Sequence, residues 1–209
     1  MANFLPPDFS RRMDESDDEL FYEFPRLVLH IDDHAIADVS TIYGALLPRN
    51  SEILDLMSSW RSHLPSALEL KRVVGLGLNR AEMAENPALT DVVIHNVNRQ
   101  PRLPFEDASF DGAVMTVSVQ YLTRPLEVFA DVARVLRPGA PFIVTFSNRM
   151  FPTKAIALWQ MASEQHRPEI VRSYFAQSGT FEKIELIDHS RRSGVPLDPI
   201  WAVLAYKKA

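Results

Sequence analysis

The chain predicts an α/β fold: a seven-stranded, mainly parallel sheet that closes with a C-terminal antiparallel hairpin and carries helices on both faces. Three observations support this. From residue 51 onward, short apolar runs alternate with stretches of helical periodicity, the pattern of strand–crossover–strand units. The run "DGAVMTVS" is rich in β-branched and small residues, as a buried strand should be. The last two runs are joined by a short loop. A parallel crossover takes about a dozen residues or more, so that final pair is antiparallel.

The elements follow in order. Residues 1–32 read as an N-terminal arm, and 33–209 as the α/β domain. The first twenty residues are polar, contain proline and turn acidic, which predicts a mobile or loosely docked segment. Asp32 or Asp33 caps a helix in which Ile36, Val39, Tyr43, Leu46 and Leu47 keep helical spacing until Pro48 ends it. "SEILDLM" and "RVVGLGL" are the first two strands, and Asn79 is placed to cap the helix after the second. "DVVIHNV" and "DGAVMTVS" are the third and fourth. In "TRPLEVFADVARVLRPGA", Phe129, Val132, Ala133 and Leu136 form one apolar face, Thr123 is the expected cap, and Pro138-Gly139 stops the helix. "PFIVTFSN" is the fifth strand. Helices are expected over "FPTKAIALWQMASEQ" and over "RPEIVRSYFAQSG", the latter closing at Gly179. "FEKIELIDHS" and "PIWAVLAYKK" are the final strands, around the turn-rich "RRSGVPLD".

Composition narrows the function. At 209 residues the chain fits one domain with a short appendage. A formal charge of −5 argues against nucleic-acid binding, which relies on clustered Lys and Arg. The absence of cysteine excludes disulfides, thiolate metal sites and a cysteine nucleophile. The first twenty residues lack a signal-peptide pattern, and no apolar run approaches the ~18–20 residues of a membrane span. The expectation is a cytoplasmic protein with no nucleic-acid or membrane partner. A homo-oligomer is left open.

Two linked motifs are more specific. Leu103, Pro104, Phe105, Asp107, Ser109, Phe110 and Asp111 precede the fourth strand, and Leu136, Arg137, Pro138 and Gly139 precede the fifth, with Ala140 following. This stretch resembles the second half of a class I, S-adenosylmethionine-dependent methyltransferase domain of the ubiquinone-biosynthesis type. The resemblance extends more weakly over roughly residues 50–209. It implies a Rossmann-like fold, S-adenosylmethionine as cofactor and a small-molecule methyl acceptor as partner.

The resemblance also implies where the cofactor sits, at the carboxyl ends of the first four strands. In the first loop Leu54 and Asp55 match the family, but Met57, Ser59 and Arg61 stand where glycines are usual. Ser58 and Ser59 hydroxyls then become candidates to meet the methionine end, with Asp55 steering its positive charge, while Met57 and Trp60 can plug the space. In the second loop Gly75 matches, Gly77 stands at the acidic position that takes the ribose hydroxyls, and Asn79 replaces a usual Ser. In the third, Asn96 or Asn98 replaces the Asp that accepts the adenine amino group, and Val97 offers a backbone amide and apolar surface. Beyond the fourth strand Thr116, Val117, Ser118, Gln120 and Tyr121 would line the methyl end; beyond the fifth, Ser147, Asn148 and Arg149 would face the substrate. His30, His34, His63 and Tyr22 are acid–base candidates if the arm covers the site.

Other readings fare worse. "GLGLNR" is no dinucleotide loop, because Arg80 stands at the third glycine position and no acid follows at the required distance. "HIDDH" reads as a helix start, not a metal site. The serious rival is a methyltransferase-like domain that has lost its cofactor loop and serves as a binding or regulatory module.

Overall fold

The computed structural model describes residues 7–190 and 197–209. Seven strands form one sheet in the order β3-β2-β1-β4-β5-β7-β6: β1 (Ser51–Leu56), β2 (Leu70–Gly77), β3 (Asp91–Ile94), β4 (Gly112–Thr116), β5 (Pro141–Phe146), β6 (Phe181–Asp188) and β7 (Trp201–Lys207). Strands β1 to β5 pair in parallel, and β7 runs antiparallel to both neighbours, β5 and β6. The spacing argument for the C-terminal hairpin therefore holds. Most of its turn-rich connection, residues 191–196, lies outside the described residues.

The helices are α1 (Asp18–Phe21), α2 (Asp33–Leu46), α3 (Arg80–Ala84), α4 (Pro125–Val135), α5 (Ala157–Met161) and α6 (Arg167–Ser178). They divide between two cores, as a sheet covered on both faces requires. On one face Val39, Ile42 and Tyr43 of α2 pack on Ile53, Val114, Ile143 and Leu204. On the other, Phe129 and Val132 of α4 and Phe175 of α6 pack on Leu54, Met115, Phe142 and Val203. The expected caps of α2 and α3 are present: Asp32 Oδ1 accepts from Ala35 N at 2.8 Å, and Asn79 Oδ1 from Glu82 N at 3.0 Å. Gly179 ends α6 in the left-handed conformation, φ 72°.

Three expectations need correction. Thr123 does not cap α4; Arg124 holds the N-cap position without a side-chain cap bond, and Pro125 opens the helix, its missing N–H costing nothing there. The helix read over residues 151–165 shrinks to Ala157–Met161; its N-terminal side binds the arm instead, where Asp14 N donates to Thr153 O and Ala157 N to Arg11 O. The arm is accordingly well docked in its described part. Lys154, with its side chain 1% exposed, forms ion pairs with Asp14 at 3.1 Å and Asp18 at 3.6 Å, and donates to Ser16 O. Asp18 also receives Arg12 and the Asn98 amide. A buried ammonium is stable only when so surrounded.

The linked motif before β4 is architectural. The Arg134 guanidinium gathers Asp131, Asp107 and the carbonyls of Leu103 and Phe105, while the Phe105 and Phe110 rings meet edge to face at 5.0 Å. These contacts set the entry of β4 and leave its carboxyl end to the cavity.

Candidate functional site

The chain runs β1, β2, β3 outward in one direction and then returns to place β4 on the other side of β1. That reversal is the topological switch point where open α/β sheets bind ligands. A cavity of about 640 Å³ lies there, within the range of small-molecule sites. Its wall includes Asp55, Met57, Ser58, Ser59 and Trp60 after β1, and Gly77, Asn79 and Glu82 after β2. Asn96, Val97 and Asn98 follow from β3, and Thr116, Val117, Ser118 and Tyr121 from β4. Residues of the arm and of the segment after β5 complete it.

Eleven of the twelve positions expected to meet the cofactor are thus on one wall: Asp55, Met57, Ser58, Ser59, Gly77, Asn79, Asn96, Val97, Asn98, Val117 and Ser118. Gly75 is not. It sits inside β2 opposite Asp55 and Val92, where a Cβ would meet Leu89. Of the substrate-side expectations, Thr116, Tyr121 and Arg149 line the cavity, whereas Gln120, Ser147 and Asn148 do not. His30, His63 and Tyr22 line it; His34 does not.

Three wall residues adopt left-handed backbone although none is glycine: Met57 at φ 56°, His63 at φ 55° and Val117 at φ 46°. Met57 and Val117 directly follow the adjacent strands β1 and β4. The conformation costs roughly 1–2 kcal/mol for an L-residue, and such strain concentrates at functional sites. Met57 therefore holds the kind of backbone that a glycine at its position would favour.

The loop after β1 is fixed by acids, which changes the roles read from sequence. Asp55, 2% exposed, accepts from Ser58 Oγ at 2.6 Å and Ser62 Oγ at 2.5 Å. Burial pushes its pKa up to about 6, against the lowering effect of those two bonds. Ser59 Oγ donates to Glu82 at 2.6 Å, and Trp60 Nε1 to the arm at Val28 O. The two serines and Asp55 thus organise the loop. Ser58 N then donates to Leu76 O at 2.8 Å, laying the loop against the end of β2. A Cβ on Gly77 would lie 2.3 Å from the Ser58 carbonyl oxygen. Gly77 is needed for that close approach, so a carboxylate cannot simply be restored at this position.

The asparagines are similarly engaged. Asn79 Nδ2 donates to Tyr22 O and Glu23 O, fastening the arm to α3. Asn96 Oδ1 accepts from Asn98 N and Arg99 N, and Asn98 bridges Asp18, Tyr121 O and Thr123 N. Sequence reasoning missed Glu82, Arg26 and Lys154. Glu82 is 5% exposed yet on the cavity wall, accepting from Arg26 N and Ser59 Oγ. A charged residue inside the apolar "FYEFPRLVLH" was the available signal for Arg26. Ser118, 7% exposed, holds a buried Oγ with no hydrogen-bond partner among the described residues.

Comparison with known proteins agrees with this geometry. Residues 62–144 match the family described as methyltransferase domain. A 62-residue stretch is 34% identical to the biotin biosynthesis bifunctional protein BioHC of Teredinibacter turnerae, covering 30% of this chain but only 11% of that protein. Phosphoethanolamine N-methyltransferase 2 of Haemonchus contortus, solved with S-adenosyl-L-methionine, superposes with a TM-score of 0.61 at 14% identity, covering 85% of this chain and 53% of that one. A methyltransferase of Methanosarcina mazei gives 0.54 at 16% identity over 80% and 97% of the two chains. The [4+2]-cyclase SpnF gives 0.62 at 14% identity over 91% and 92%. The fold and its switch-point cavity are those of a Rossmann-like methyltransferase domain. The methyltransferase-domain match spans residues 62–144, and the solved structures share the fold of this chain.

Proposed function

We propose that the chain binds S-adenosylmethionine in the switch-point cavity and methylates a small molecule there. The observation that supports this most is the pair of left-handed, non-glycine residues, Met57 and Val117, at the ends of adjacent strands on the cavity wall. The residues present fit the cofactor with one substitution of role. Glu82 supplies the carboxylate on the β2 side: each oxygen accepts one bond in the structure and has room for another. Val97, 4% exposed, offers an apolar rest for a base, and the orphaned Ser118 Oγ offers a hydroxyl beyond β4.

Bound S-adenosylmethionine supplies an electrophilic methyl group on a sulfonium, and alignment is then the chief requirement. The arm covers the site, held by Asn79, Trp60 and the buried Lys154. Cover of this kind excludes water and strengthens electrostatic contacts inside. His30 and His63 are held below the usual imidazole range by burial, His63 at about 4, so both are neutral at pH 7 and burial opposes their protonation. Tyr121, pushed up to about 12 by burial, stays protonated; its hydroxyl accepts from Phe151 N at 2.8 Å and keeps its own proton to donate.

A second reading, a domain that binds without transferring a methyl group, is favoured by one feature. The Ser58 carbonyl crowds the Gly77 position where relatives hold a ribose-binding acid. The [4+2]-cyclase SpnF illustrates that this fold does not dictate one reaction. Calorimetric titration with S-adenosylhomocysteine tests the first reading. Saturable heat with a dissociation constant in the micromolar range, on the order of −8 kcal/mol, supports it. No heat at millimolar ligand contradicts it.

A further inference from the structure

Arg26 has no counterpart in the role just described. Its backbone N donates to Glu82 on the β2 side at 2.7 Å. Its guanidinium reaches across the cavity, 4.5 Å from the Phe21 ring centroid and 5.8 Å from those of Tyr22 and Phe151. Phe151 lies beyond β5 and stacks on Tyr121 beyond β4, with centroids 6.0 Å apart. The charge therefore lies among the arm and the segment beyond β5, with Phe21, Tyr22 and Phe151 around it.

No carboxylate pairs with this guanidinium among the described residues, and Nη1 is buried without a hydrogen-bond partner. Burying a cation without a partner is costly. The other Lys and Arg side chains of the wall have polar partners. Lys154 holds Asp14 and Asp18, Arg149 holds Asp198 at 2.7 Å, and the Arg61 guanidinium donates to the carbonyls of Trp60 and Glu85. Ser118 Oγ, buried and unpartnered beyond β4, supplies a second polar group on the wall. Between them the wall is aromatic and apolar: Phe21 against the guanidinium, with Tyr22, Met150 and Phe151 lining the cavity.

We propose that the methyl acceptor is an organic acid, an apolar or aromatic body carrying a carboxylate or phosphate that pairs with Arg26. The planar guanidinium presents parallel N–H donors that match either oxyanion, and Phe21 and Phe151 hold it in place from the sides by cation–π contact. This rests on the switch-point cavity being the methyl-transfer site.

The test uses the full chain saturated with S-adenosylhomocysteine and titrated with benzoate, hexanoate and phenyl phosphate, each against its neutral amide or alcohol counterpart. Charge-assisted bonds are about twice as strong as neutral ones, so at least one acid should bind about tenfold more tightly than its counterpart. Arg26→Gln, which keeps polarity and packing without the charge, should abolish that preference and leave S-adenosylhomocysteine affinity within about twofold. Acid preference that persists in Arg26→Gln, or no acid binding at about ten millimolar, overturns the proposal. Loss of S-adenosylhomocysteine affinity in Arg26→Gln, with 5′-methylthioadenosine affinity retained, overturns it too, by assigning the arginine to the cofactor's own carboxylate. In each of these cases intact S-adenosylhomocysteine binding by the unmodified chain keeps the cavity reading separate from the failure.

Discussion

Replace Gly77 by alanine, and the new Cβ lies 2.3 Å from the Ser58 carbonyl oxygen and 3.1 Å from the Met83 sulfur. The sulfur can swing away. The carbonyl cannot, because the same residue's N–H donates to Leu76 O at 2.8 Å and its hydroxyl to Asp55 at 2.6 Å. Overpacking of this kind costs roughly 1–3 kcal/mol, and loosening the Ser58–Leu76 bond adds about 1 kcal/mol. Removing a glycine from a strand returns about 0.5–1 kcal/mol. The net loss expected is about 1–3.5 kcal/mol, or roughly 2–14 °C in Tm for a domain of this size.

Gly75→Ala is the matched control, with a contact almost as short. Its Cβ meets Leu89 Cδ1 at 2.4 Å, but that atom ends a half-buried, flexible side chain able to rotate. Its cost should stay under about 1 kcal/mol. Urea unfolding of both variants reads the difference. A Gly77→Ala variant as stable as Gly75→Ala would refute the claim that the β1 loop occupies the ribose-side position.

Two further perturbations probe the same walls. The first is pH. The His63 pKa is depressed from 6.5 to about 4, so folding releases its proton and stability is lost as pH falls through that window. The Asp55 pKa is raised from 3.8 to about 6, so its contribution runs the other way, improving as pH falls through 6. Each slope is at most about 1.4 kcal/mol per pH unit, and they offset; Asp55→Asn should expose the histidine slope as a steeper acid loss in urea unfolding between pH 6.5 and 4. Parallel profiles for the two proteins would show the assignment is wrong. The second is Lys154→Met, which leaves Asp14 and Asp18 short of a cation and should destabilise by about 3 kcal/mol. Trypsin should then cut at Arg11 and Arg12 much faster than in the unmodified chain, and equal rates would mean the arm is held by other contacts.

The sheet was legible because its information is local. Alternating runs gave the strands, connection length gave the antiparallel pairing of β6 and β7, and Asp32 and Asn79 gave helix starts. The stretch 151–165 was not, because its helical pattern competes with contacts to residues 11–18 that sit far away in sequence. The site was legible in outline: the motif before β4 located the sheet, and the strand ends located the cavity wall. Its chemistry was not. Gly77 reads as a lost acid, yet its glycine is set by the approach of Ser58; Met57 reads as a lost glycine, yet it keeps left-handed backbone. Glu82 and Arg26 come to the cavity on the short helix α3 and on the arm, and neither residue carries a motif that marks its destination.

The proposed cofactor site is the cavity between the loops after β1 and β4, and the most direct test is a crystal structure of the chain soaked with S-adenosylhomocysteine. The ligand should lie across that switch point, its sulfur near Val117 and Ser118, its ribose against Glu82 and its base beside Val97. Saturating ligand that leaves this cavity empty, or a ligand bound elsewhere on the surface, would contradict this placement.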